Sequence, residues 1–84
     1  MIEIYGKSNC KWCKMAVELA RARSLPYQYL AVDDDYGLYE QLKEKLPEVK
    51  TVPQIWWNSR HLGGYTEFAQ EVENTVSDYG HGKI

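Results

Sequence analysis

Ile2-Glu3-Ile4-Tyr5-Gly6-Lys7-Ser8-Asn9-Cys10-Lys11-Trp12-Cys13 holds a strand, a turn and a helix start in twelve residues, and the architecture follows from it. Its first four residues alternate around Glu3 and predict a short strand, which Gly6 stops. Lys7-Ser8-Asn9 is polar, and Ser8 and Asn9 are both candidates to cap a helix beginning near Cys10. From there to Arg23 the chain is rich in Ala, Leu, Met, Glu and Arg and holds no Gly or Pro, so the helix continues. Ala16, Leu19 and Ala20 fall at i, i+3 and i+4, one apolar stripe small enough for close approach to a sheet. Pro26 marks the exit, and Tyr27–Val32 reads as a second strand. Strand, helix and strand make a βαβ unit with a right-handed crossover, so the two strands are expected to be parallel and adjacent.

After the second strand, Asp33-Asp34-Asp35 reads as a solvated turn that favours the next helix N-terminus through its dipole, because no further ligand spacing supports a metal there. That helix is predicted from about Tyr36 to Leu46, with Tyr39, Leu42 and Leu46 toward the core and Pro47 ending it. Glu48-Val49-Lys50 is a loop. Gln54–Trp57 reads as a strand, Asn58-Ser59-Arg60 as a tight turn and His61-Leu62 as a short return strand. Alternation puts Trp56 and Trp57 on opposite faces as packing residues, and Gln54 and His61 read as structural or peripheral. Gly63-Gly64 breaks the backbone. Thr66 is a candidate cap for a last helix from about Glu67 to Asp78, with Phe68, Val72 and Val76 on one stripe. Residues 79–84 read as a flexible tail. The order is βαβαββα, an α/β arrangement in a single domain over 1–84 without repeats or linkers.

Composition narrows the function. In 84 residues, ten Lys+Arg stand against twelve Asp+Glu, a formal charge of −2. A general nucleic-acid binder would want a basic field. No apolar run approaches the ~18–20 residues of a membrane span, and the N-terminus lacks a secretory pattern, so a cytoplasmic protein is expected. Two cysteines are too few for a disulfide scaffold.

Both cysteines lie in Cys10-Lys11-Trp12-Cys13, after the first strand and at a helix start, where C-x-x-C reads as a redox motif of thioredoxin-like type. Amides of the first helical turn point at the Cys10 sulfur and the helix dipole favours negative charge there. Such sites lower a thiol pKa from ~8.5 to ~3.5–7.5, so Cys10 is expected to be a thiolate nucleophile and Cys13 a thiol held in reserve. Lys7 and Lys11 place cations nearby, and Trp12 is expected to expose its ring to substrate. A structural bridge would close a tiny loop in a reducing compartment. Zinc would need two further ligands, and His61 and His81 lack finger-type spacing, so no metal is expected. Thr51-Val52-Pro53 precedes the third strand. Downstream of such a unit Pro53 is expected to be cis, presenting the Val52 N–H and C=O beside Cys10 to an extended thiol peptide.

With these residues in view, the sequence resembles the glutaredoxins, specifically the small dithiol bacterial and phage type. The resemblance rests on Gly6–Cys13, on Thr51-Val52-Pro53-Gln54-Ile55 and on Gly63-Gly64-Tyr65-Thr66-Glu67-Phe68. It departs from the usual pattern in having Lys11-Trp12 where Pro-Tyr is usual and Glu67 where Asp is common.

The resemblance implies a thioredoxin fold with a four-stranded mixed sheet and helices on both faces. It also implies glutathione as reducing co-substrate with no tightly bound cofactor. By carry-over Lys7 contacts a glutathione carboxylate, Trp12 lines the groove, and Val52, beside Thr51 and before Pro53, pairs with the cysteinyl backbone. Gly64, Thr66 and Glu67 lie by the γ-glutamyl end, Lys11 adds a cation for an anionic tripeptide, and Gln54, otherwise peripheral, is placed where it could reach the glycine carboxylate. The implied partners are glutathione and disulfide-containing or glutathionylated proteins, ribonucleotide reductase among them, acting on a monomer. Two alternatives stand beside this reading: a thioredoxin-like reductant recharged by a flavoprotein reductase, and a non-catalytic iron–sulfur module held through Cys10 and glutathione. The Gly-Gly-Tyr-Thr segment and Lys7 speak against the first, the absence of a monothiol Cys-Gly-Phe-Ser site against the second.

Overall fold

The computed structural model describes the backbone of residues 1–82 and side chains as far as Thr75. Its elements are β1 (Ile2–Gly6), α1 (Lys11–Ala22), β2 (Tyr27–Ala31), α2 (Tyr36–Lys45), β3 (Gln54–Trp57), β4 (Arg60–Gly63) and α3 (Tyr65–Gly82). The strands form one mixed sheet in the order β2-β1-β3-β4. As the βαβ pattern requires, β1 and β2 run parallel, with Ile4 opposite Tyr29 and Gly6 opposite Ala31. β3 lies antiparallel to β1, with Ile4 opposite Ile55, and β4 returns antiparallel along β3. This is the thioredoxin fold.

Strand alternation divides the interior into two cores. On one face Ile2, Ile4 and Ile55 pack with Ala16 and Ala20 of α1 and Phe68 and Val72 of α3. On the other, Tyr5, Leu30 and Trp56 close over Leu42 of α2. Trp56 meets Tyr5 edge to face with centroids 5.3 Å apart, while Trp57 turns to Phe68 at 6.0 Å. Both tryptophans are therefore packing residues. Burying the six large aliphatic and aromatic side chains that are almost fully enclosed, Ile2, Ile4, Leu42, Ile55, Phe68 and Val72, is the main favourable term, since each contributes about 1.5–3 kcal/mol.

Several local expectations shift. The hairpin turn is two residues, Asn58 and Ser59, with φ of 52° and 70°, which suits the twist of the flanking strands, so Arg60 joins β4. Asp35 caps α2, accepting from the Gly37 and Leu38 amides at 2.8 and 3.4 Å. Tyr39, expected in the core, is exposed and leans on Tyr36 instead; the leucines Leu38, Leu42 and Leu46 face the sheet. α3 begins at Tyr65 rather than after Thr66, because the Glu67 carboxylate reaches back to the Gly64 amide at 2.9 Å, half of a capping box. It continues past Asp78 to Gly82, overlapping the expected tail, while Lys83 and Ile84, and the side chain of Val76, lie outside what is described.

Candidate active site

Cys10 itself, rather than Ser8 or Asn9, is the N-cap of α1, with extended φ and ψ of −117° and 110°. Asn9, at φ 55°, turns the chain into that position. The Cys10 sulfur accepts the Cys13 amide at 3.2 Å, so the sulfur takes the place of the usual capping oxygen. The sequence hides this because cysteine is not a customary cap. Cys10 and Cys13 are joined as a disulfide with Cα atoms 5.2 Å apart. Cys10 is half-buried and Cys13 fully enclosed, an asymmetry that exposes one sulfur to attack and shelters the other.

The loop ahead of Cys10 is held from below. The Tyr29 hydroxyl donates to the Lys7 carbonyl at 2.8 Å, and the Ser8 amide donates to Asp33 Oδ2 at 3.0 Å. The Ser8 amide is the main reason the Asp33 carboxyl is held below its ordinary range, with the Lys7 charge adding to it. Burial, and next the Asp33 charge, push the Tyr29 hydroxyl up.

The Val52–Pro53 bond is cis, as expected, and the Val52 carbonyl oxygen stands 3.9 Å from the Cys10 sulfur. Of the residues singled out in the sequence, Trp12, Thr51, Val52, Pro53, Gly64, Thr66 and Glu67 line one groove of about 240 Å³. Tyr65, not singled out, lines it too and packs against Trp12 with centroids 5.6 Å apart. Its place inside Gly63-Gly64-Tyr65-Thr66 was the available signal. Trp12 is half-exposed. Lys7 lies outside this groove, on a neighbouring one of about 590 Å³ that shares Thr51 and Val52. Lys11 places its ammonium 5.5 Å from the Trp12 ring centroid. The hollow that contains Cys10 is bordered by Lys7 and Lys14. Lys14 went unnoticed in the sequence although it is four residues after Cys10, one helical turn along the same side.

Gln54 and His61 meet across the β3–β4 hairpin, with His61 Nε2 2.9 Å from Gln54 Oε1. The Gln54 amide nitrogen donates to both the carbonyl and the hydroxyl of Thr51, at 3.1 and 3.3 Å. Among the described residues no group of acidic, His and Cys side chains is arranged to hold a metal, and no helix is long and apolar enough to cross a membrane.

Chemically, a partly exposed sulfur at a helix N-terminus, backed by a sheltered one within bonding reach, exchanges thiols for disulfides. Comparison with known proteins points the same way. The glutaredoxin family model matches residues 2–62. Glutaredoxin 1 of Escherichia coli K12 is 37% identical over 79 residues, covering 87% of this chain and 93% of the relative. The solved structure of reduced Escherichia coli glutaredoxin superposes with a TM-score of 0.68 at 35% identity, covering 90% of this chain and 96% of that one. A buckwheat glutaredoxin–glutathione complex gives a TM-score of 0.74 at 18% identity, covering 88% of this chain and 69% of that one, a likeness of fold. By the reach of the family model and the identity to a curated relative along most of both chains, this protein belongs to the glutaredoxin family of thiol–disulfide oxidoreductases.

Proposed function

We propose that the protein reduces protein disulfides and glutathione mixed disulfides with glutathione as the electron donor. One observation carries the reading: a groove that includes Trp12, the Thr51–Pro53 loop and the start of α3 opens beside the sulfur of Cys10, with Val52 common to both. A small anionic peptide is what such a groove suits. The first turn of α3 offers partial positive charge to the γ-glutamyl carboxylate beside Gly64 and Thr66. The second carboxylate oxygen of Glu67, the one not bonded to Gly64, is available to the tripeptide's amine. Val52 pairs with the cysteinyl backbone next to Pro53, Trp12 packs along the chain, and Lys7 and Lys11 supply cations for the glycine carboxylate.

In the reduced enzyme the Cys10 thiolate, stabilised by the Cys13 amide and the α1 dipole, attacks a substrate disulfide. The new bond forms at the Cys10 sulfur, the substrate S–S bond breaks, and the departing thiolate takes a proton from water. With a protein disulfide, Cys13 gives up its proton and attacks Cys10; the second substrate thiolate leaves, and the Cys10–Cys13 bridge remains. One glutathione thiolate then opens that bridge at Cys10, returning Cys13 as a thiol. A second attacks the Cys10–glutathione bond, releasing oxidised glutathione and the Cys10 thiolate. Two glutathione molecules are oxidised for each disulfide reduced. A glutathionylated protein needs Cys10 alone. The reading includes a cytoplasmic monomer without a resident cofactor, and ribonucleotide reductase as one recipient of electrons.

The test is a coupled assay in which NADPH and glutathione reductase regenerate glutathione while the protein reduces a small glutathione mixed disulfide. Saturable NADPH consumption is expected. Turnover driven by a flavoprotein thioredoxin reductase instead, with none from glutathione, would replace this reading with the thioredoxin-like one.

A further inference from the structure

We propose that His61 is a positioning residue for the Thr51–Val52 loop, acting through Gln54, and that it sets how tightly the tripeptide is held. The proposal rests on the glutathione reading above. Its basis is the chain of bonds from His61 to Gln54 to Thr51. Each group in that chain has only one way to satisfy the next. The Gln54 amide nitrogen spends both its hydrogens on Thr51, so its oxygen must face His61 and accept from Nε2–H. A flipped amide would set two oxygens against each other at the Thr51 carbonyl. The Thr51 carbonyl thus fixes which way the Gln54 amide points, and His61, held in the Nε2–H form by the Gln54 oxygen, braces the amide from the other side. The imidazole in turn is steadied by stacking on Trp56, with centroids 4.5 Å apart, and Trp56 belongs to the buried core. The neutral Nε2–H tautomer and the imidazolium both donate from Nε2, so protonation leaves the relay intact.

The consequence falls on binding. Thr51 borders the groove beside the α3 N-terminus and the one that contains Lys7. With its hydroxyl oxygen accepting from Gln54, the Thr51 hydroxyl hydrogen is left to donate outward. The Gln54 amide, having both hydrogens on Thr51, has none for a ligand carboxylate. Gln54 therefore acts behind the groove wall. Cys10, set by α1, does not depend on this chain, so substrate affinity should change and the chemical step should not.

The experiment compares glutathione kinetics of wild type, His61→Phe, His61→Gln, Gln54→Leu and the double variant His61→Phe/Gln54→Leu. His61→Phe keeps a ring on Trp56 and removes the donor. It is expected to raise the KM for glutathione roughly 2- to 10-fold, the worth of one neutral hydrogen bond, with kcat and thermal midpoint unchanged. His61→Gln, which restores an N–H donor, should recover most of the loss. In the Gln54→Leu background, His61→Phe should have no further effect. Independently of glutathione, the side-chain NH2 resonances of Gln54 should move toward solvent-exposed values in His61→Phe. An unchanged KM with unchanged Gln54 resonances, or an undiminished His61→Phe effect in the Gln54→Leu background, would overturn the proposal. If wild-type turnover shows no dependence on glutathione, the functional reading fails instead, and the Gln54 resonances alone decide the loop relay.

Discussion

The Cys10 sulfur faces the Val52 carbonyl oxygen across 3.9 Å, although 42 positions separate the two residues. Everything in the fold serves that approach. β1 delivers the chain to the head of α1, β3 leaves from the Thr51–Pro53 loop alongside it, and the antiparallel pairing of Ile4 with Ile55 fixes the distance between them. On the proposed function, this carbonyl is the group with which an incoming peptide backbone pairs while its sulfur lies against Cys10.

The unequal burial of the two sulfurs predicts unequal losses. Cys10→Ser should abolish reduction of both protein disulfides and glutathione mixed disulfides. Cys13→Ser should keep the second activity and lose the first, because only the two-sulfur route needs an internal resolving thiol. Steady-state assays on one substrate of each kind make the comparison. Retention of activity by Cys10→Ser would show that the nucleophile is elsewhere.

Gly6 ends β1 directly behind Cys13. A Cβ there would stand 2.8 Å from Tyr29 Cζ and 2.9 Å from the Cys13 sulfur, and closer still to the Tyr29 hydroxyl oxygen. The Tyr29 ring is tethered by its bond to the Lys7 carbonyl, so it does not swing away without releasing the active-site loop. Gly6→Ala should cost about 1–3 kcal/mol through overpacking. Urea denaturation of both redox forms measures it, and a loss below a few tenths would mean that the tyrosine yields freely.

Much of this was legible in the sequence, and the exceptions have physical reasons. Period-2 and period-3.6 patterns are local, so β1, α1, β2, β3 and the parallel βαβ pairing could be read directly. α2 misled because tyrosine is both apolar and polar: Tyr36 and Tyr39 cover one another at the surface while Leu38 and Leu42 do the packing. The start of α3 was missed by two residues because Gly64 and Glu67, not Thr66, supply its cap. At the site, the two cysteines and the groove residues were within reach of motif reading. The His61–Gln54–Thr51 chain and the Trp12–Tyr65 contact were not, since each depends on how distant segments face one another.

The α3 cap yields a stability prediction. Glu67 Oε1 satisfies the Gly64 amide, one of the donors that a helix start leaves without an internal partner. Glu67→Ala should lower stability by about 0.5–2 kcal/mol, as cap removals do, and Glu67→Gln should retain part of that, since its amide oxygen still accepts. Equal stability of Glu67→Ala and wild type in thermal unfolding would mean that solvent serves the Gly64 amide as well.

Asp33 gives the active-site loop an acid-sensitive anchor. Its carboxylate accepts the Ser8 amide at 3.0 Å, which is the main cause of its lowered folded-state pKa. The sign follows from linkage: a carboxyl whose folded value lies below its unfolded one adds stability that is complete above the unfolded value and is lost as pH falls through the folded one. The window therefore lies in and just below the ordinary carboxylate range, and neutral or alkaline pH leaves the anchor untouched. Asp33→Asn replaces the anionic acceptor with a neutral one, so the variant should start slightly less stable at neutral pH and lose less on acidification. The two unfolding curves should converge as pH drops through that window. Because Asp33 is exposed, the effect should also shrink with added salt. Parallel curves across the whole acid range would show that the Ser8 amide bond contributes nothing to holding the loop that carries Cys10.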